Sequence, residues 1–143
     1  MIIFIPINII PYQDNVIMLK RIFKKRINEI YTKYKSKNVL ITDDIANFFG
    51  LESLGLWKIR GNGVLLLTEE ELFYGMWKPK REFSIPLNSI IKVTNPKSHM
   101  HKSVFRPLIK VIFKNESGNL DSAAWYVRNL DHWNEILNQL INK

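Results

Sequence analysis

Between Phe83 and Asn115 the chain carries no acidic residue, yet it holds Lys92, Lys97, Lys102, Arg106, Lys110 and Lys114. Four candidate anion contacts, Lys97, Ser98, Lys102 and Arg106, fall within one short stretch, and His99 and Ser103 add hydrogen-bonding groups. Lysine and arginine would supply charge. Hydroxyls and free backbone N–H groups would complete a shell around a phosphate or carboxylate. His99 would strengthen the attraction as pH falls through its titration, if it faces the ligand. Lys78, Lys80 and Arg81 make a second cationic segment. A third lies at Lys20, Arg21, Lys24 and Lys25; from Lys20 to Lys37 eight cations stand against Glu29 alone. The chemistry these patterns offer is attraction to an anionic surface, either a membrane or an acidic protein segment. The competing account is a solvated basic loop in a lysine-rich protein.

Other chemistries find less support. His99 and His101, two residues apart, give two metal ligands at most. With no cysteine in the chain and no carboxylate nearby in sequence, no metal site is assigned. Glu69, Glu70 and Glu71 read as solvated carboxylates on a turn. There is no nucleophile elbow, phosphate-cradling loop or His-Glu-x-x-His pattern, so no catalytic residue and no cofactor are assigned. An enzyme is not expected. Asp43 and Asp44 fall where the first turn of a short helix is expected, favouring its dipole. Nucleic-acid binding rests on the net charge of +8 alone. Trp77, Trp125 and Trp133 follow core periodicities rather than forming a stacking platform.

The elements that must carry these residues can be read along the 143 residues, which suit one domain with an extension. The absence of cysteine points to a reducing, cytoplasmic setting, with peripheral membrane contact as a further expectation. Met1 to Pro11, MIIFIPINIIP, is apolar but too short to span a bilayer, and Pro6 and Pro11 oppose a helix. It is expected to pack extended on an apolar surface of the same chain or a neighbour. Asp14 or Asn15 can cap a helix running to about Lys35, with Leu19, Phe23, Ile27, Ile30 and Tyr34 as its apolar stripe. The cations lie mostly off that stripe, so this helix either docks on its own domain or lies on an anionic surface. Thr42 can cap a second helix through Phe49, closed by Gly50.

Strands are expected at Leu54 to Ile59, Gly63 to Thr68, Leu72 to Trp77 and Arg81 to Leu87, with Gly61-Asn62-Gly63 as a turn. Ser89 to Thr94 follows, with Ile91 and Val93 on one face, and then a long loop from Asn95 to Pro107. In Leu108 to Lys114 the residues Ile109, Val111 and Phe113 alternate; Ala123, Trp125 and Val127 share a face of the last strand. Asp131 can cap a final helix with Trp133, Ile136, Leu137 and Leu140 inward.

Seven short strands followed by one amphipathic helix resemble the pleckstrin-homology-like (PH-like) superfold over roughly Gly55 to Asn142. The cues are the Gly-x-Gly strand opening, LTEEELFY, FSIPLNSIIKV and the Trp133 helix. The Leu-Thr and Ile-Pro-Leu pieces look similar to the GRAM branch and to bacterial PH-type domains. FFGLESLG, RGNG, PKSHMHKSV and DSAAWYVRNLDHW are similar to a family of uncharacterised prokaryotic proteins. The resemblance implies a mostly β (α+β) chain, with a seven-stranded barrel or sandwich at residues 54–143 capped by the C-terminal helix. Residues 1–53 would be an N-terminal apolar segment and helical extension. It implies a non-catalytic binding or adaptor module, with an anionic lipid or a protein as partner. The alternative is an interaction domain assembling through its N-terminal segment and sheet edges. Lipid-binding PH domains carry a basic motif around the loop joining their first two strands; the corresponding turn, Arg60 to Gly63, holds one cation.

Overall fold

The computed structural model describes residues 18–53 and 61–142. The expected docking of Met1 to Pro11, the cap at Asp14 or Asn15 and the strand at Leu54 to Ile59 lie outside them. In chain order come helix α1 (Lys24–Lys33), strands β1 (Val39–Leu51), β2 (Gly61–Thr68), β3 (Glu71–Met76) and β4 (Glu82–Pro86), and a 3-10 turn over Leu87–Ser89. Then follow β5 (Ile90–Thr94), β6 (Ser98–His99), β7 (Lys102–Ser103), β8 (Ile109–Lys114), β9 (Leu120–Tyr126) and helix α2 (Leu130–Ile141). Seven strands form one antiparallel sheet in the order β4-β3-β2-β1-β9-β8-β5, while β6 and β7 pair only with each other.

The sheet does not close into the barrel that was one expectation: β4 and β5 remain edges. It folds over on itself instead. In a flat sheet, four inter-strand steps of about 4.8 Å would hold β4 ~19 Å from β9. Yet the Phe83 and Trp125 rings stack with centroids 6.0 Å apart. Phe48, Leu65, Leu67, Tyr74, Val111 and Trp125 fill the space enclosed. Helix α2 closes it with Trp133 and Leu137. The helix starts one residue before the expected cap: Asn129 is at the N-cap position, and Asp131 lies in the first turn, where its charge suits the dipole.

The largest correction concerns Thr42 to Phe49. This segment is not a helix but part of β1, at the centre of the sheet between β2 and β9. The helical spacing of Ile45, Phe48 and Phe49 has a different cause. A register shift between Asp43 and Ala46 changes the alternation, so that Phe48 faces the enclosed core while Ile45 and Phe49 join apolar clusters outside it. A strand covered on both faces loses its period of two. Gly50 adopts φ 113°, within a second irregularity of pairing between Phe48 and Leu51. Its freedom serves a bulge in a strand rather than a helix terminus.

Gly61-Asn62-Gly63 is likewise strand, not turn. Asn62 pairs with Asn47, and a side chain at Gly63 would meet the Gly75 carbonyl oxygen at 2.4 Å. That glycine is required by close approach of β2 and β3. In β5 a shift between Ile90 and Lys92 turns Ile90 inward and leaves Ile91 55% exposed, so Ile91 and Val93 do not share the buried face. The core faces expected of β8 and β9 are present: Ile109, Val111, Phe113, Ala123, Trp125 and Val127 all belong to the enclosed cluster.

Candidate functional site

Helix α1 packs across the outside of β2 and β3. Ile27, Ile30 and Tyr34 meet Val64, Leu66, Phe73 and Trp77, and Phe23 stacks on Trp77 at 4.8 Å. Ion pairs rim this contact. Lys33 reaches Glu82 at 2.9 Å, Arg26 reaches Glu82 at 3.5 Å, and Lys80 reaches Glu29 at 3.2 Å. The Tyr34 hydroxyl donates to Glu71, and burial together with that bond pushes its phenol well above its ordinary range. Of the basic helix, Lys20 pairs with Asp44 at 3.3 Å, while Arg21, Lys24 and Lys25 are exposed. In the second basic segment Lys80 is thus engaged within the fold; Lys78 is exposed and Arg81 half-buried.

The Lys33 hydrogen bond, with help from Arg26, holds Glu82 below the usual carboxylate range. A carboxylate lowered in the folded state stabilises it above the ordinary value of about 4.3, and this support is lost as pH falls through the lowered value. Because the Glu82 side chain is 42% exposed, solvent screening keeps the effect small. Acidification from neutral pH is expected to lower amide protection in α1 before that of β2 and β3, and Glu82→Gln to do the same at neutral pH. Hydrogen exchange checks this; identical protection in wild type and variant across that range would overturn it.

Asp43 and Asp44, expected at a helix start, face the segment between β9 and α2. Asp43 accepts from the backbone N–H groups of Ile45 (2.9 Å) and Arg128 (2.7 Å) and pairs with the Arg128 guanidinium at 3.2 Å. Asp44 accepts from the same Nη2 of that guanidinium at 2.9 Å. Nothing in sequence spacing links positions 43 and 128, so this staple was not legible.

The long loop from Asn95 to Pro107 is a folded structure. Strands β6 and β7 form a small hairpin turned by Met100 and His101, whose φ angles of 53° and 66° are left-handed. Val104 packs with Phe49, Leu108, Ala124 and Tyr126, laying the hairpin on the outside of β1 and β9. His99 is only 4% exposed, and its Nε2 lies 3.0 Å from the Gly50 carbonyl oxygen. Its ring faces the sheet rather than an incoming ligand. The Ser103 hydroxyl donates to the Lys97 carbonyl at 2.5 Å and accepts from the Phe105 N–H at 2.9 Å. Ser103 and His99 therefore brace the hairpin. Lys97, Ser98 and Arg106 are exposed, and Lys102 lies on β7. An Arg106 guanidinium N–H donates to the Tyr126 hydroxyl at 3.3 Å. Among the described residues no carboxylate pairs with Lys97 or Arg106.

Phe105 was missed in the sequence. It stands between Val104 and Arg106 at φ 59° with 88% of its surface exposed. The available signal was an aromatic residue set among cations in a loop, Lys102-Ser103-Val104-Phe105-Arg106. No helix among the described residues is long and apolar enough to cross a membrane.

No protein-family model matches the chain, and no curated protein matches it in sequence. Solved structures do match in shape. A chain of the 8S snRNP assembly intermediate aligns at TM-score 0.57 and 10% identity, covering 73% of this chain and 82% of that one. The C-terminal domain of an unknown protein from Leishmania infantum aligns at 0.56 and 17% identity, covering 84% and 98%. The Vps36 N-terminal PH domain aligns at 0.51 and 15% identity, covering 76% and 81%. At such identities the likeness shows the fold: a mostly β, PH-like seven-stranded antiparallel sheet with a C-terminal helix.

Proposed function

We propose that this chain is a non-catalytic binding module that uses the Lys97 to Arg106 hairpin to contact an anionic membrane surface. One observation carries the reading. The hairpin is braced by His99 and Ser103 on a rigid sheet, and it displays Lys97 and Arg106 with no carboxylate partner among the described residues. By contrast Lys20, Lys33 and Lys80 of the other basic segments make ion pairs within the fold. Binding sites commonly sit on loops held by such a scaffold. The Leu-Thr and Ile-Pro-Leu segments fit a GRAM-like variant of the fold.

Each cation near an anionic leaflet contributes about 1 kcal/mol, so Lys97, Lys102 and Arg106 together give ~3 kcal/mol, weaker than millimolar on their own. The exposed Arg21, Lys24 and Lys25 of the basic helix offer a second foothold. Full-length protein is expected to co-sediment with phosphatidylcholine vesicles in proportion to their phosphatidylserine content, and less so as salt rises. Reversing Lys97, Lys102 and Arg106 to glutamate should weaken attachment and flatten its salt dependence while leaving the melting curve in place. Wild type that ignores anionic vesicles would remove this reading. The alternative, assembly through sheet edges, is favoured by the open β4 and β5 edges and by exposed Ile91. It requires self-association or capture of a protein partner that the triple change leaves intact.

A further inference from the structure

The basic segment carries an exposed apolar group between Lys102 and Arg106 in sequence. Phe105, 88% exposed, is the most exposed of the large hydrophobic side chains among the described residues. Its position is built rather than slack. On one side Val104 is held in the cluster with Phe49, Leu108 and Ala124. On the other, Arg106 is tied to Tyr126, and the Leu108 N–H donates to the Pro96 carbonyl at 2.8 Å. The Phe105 N–H is itself held by Ser103, whose hydroxyl also fastens Lys97. These restraints keep a bulky residue at φ 59°, a left-handed conformation such residues adopt at a cost. With Val104 inward, the fold presents the aromatic ring to solvent on the same short segment as the exposed Arg106.

We infer that Phe105 is an apolar anchor that enters the acyl-chain edge of an anionic bilayer while the exposed Lys97 and Arg106 meet the headgroups. A surface that is negative at its face and apolar a few ångströms deeper matches this chemistry. Aromatic residues commonly settle at the membrane–water boundary, and apolar burial combined with charge attraction sets the strength of such attachment. The inference rests on the membrane reading of the hairpin and adds a depth to it.

The test uses full-length protein with phosphatidylcholine vesicles carrying a graded fraction of phosphatidylserine. Phe105→Ala is expected to reduce partitioning about tenfold, with its salt dependence and melting curve unchanged. Phe105→Trp should retain binding; on adding vesicles its extra emission should shift to the blue and be quenched by lipids brominated along the acyl chains. Trp77, Trp125 and Trp133 are buried, and Trp57 lies outside the described residues, so the response is read as the difference between Phe105→Trp and wild type. If charge reversal weakens binding but Phe105→Ala does not, and Phe105→Trp escapes quenching, the anchor is overturned while the cationic site stands. If wild type binds no anionic vesicle, the membrane reading and the anchor fall together.

Discussion

Trp133→Ala is expected to lower the free energy of unfolding by ~3–5 kcal/mol, the range for deleting a large aromatic side chain from a core. Trp133 is 1% exposed and belongs to the cluster that spans both halves of the folded-over sheet. With β4 and β5 left as edges, no closing ladder of hydrogen bonds among the described residues holds these halves together. Side-chain packing does so, with Phe83 stacked on Trp125 and Trp133 and Leu137 of helix α2 added to the same core. A domain of this size has only ~5–15 kcal/mol of stability in total, so the loss should be visible as a large shift in a urea midpoint. Trp133→Phe should recover part of it. A change under ~1 kcal/mol for alanine would mean that α2 does not secure the sheet.

Asp43→Ala is expected to cost ~2–4 kcal/mol, because it removes a buried carboxylate that satisfies two backbone N–H groups as well as the Arg128 guanidinium. Arg128→Ala should cost less. The arginine side chain is 37% exposed and its loss leaves both backbone donors to Asp43 in place. The order of the two losses is the diagnostic. Equal losses in chemical denaturation would assign the whole effect to the ion pair and remove the role given to the backbone amides. The carboxylate joins β1 to the segment entering α2, so Asp43→Ala should also loosen α2 in hydrogen exchange.

Several features were legible from residue order alone. The meander from β2 to β4 was, because short connections and apolar runs specify neighbours in space. So were the core-facing residues of β8 and β9, which stand at every second position. The burial of Trp133 followed from its place on the apolar stripe of the last helix. The apolar stripe of α1 was also readable, and its docking by Ile27 and Ile30 follows from it.

By itself, then, the sequence determined the meander from β2 to β4, the strands β8 and β9, the terminal helix, the absence of cysteine and the acid-free window that contains the hairpin. Local patterns suffice for these, since each depends on neighbours within a few residues. Only the tertiary structure decided that Thr42 to Phe49 is a central strand, for its apolar residues serve clusters on both faces of the sheet. It alone joined Asp43 to Arg128, turned His99 inward onto Gly50 and left Phe105 in water. Which side chains of a basic loop brace it and which stand outward depends on contacts with β1 and β9, strands distant from the loop in sequence or reached only after the chain has folded back. Charge can be counted along a chain; its direction is set by what the loop packs against.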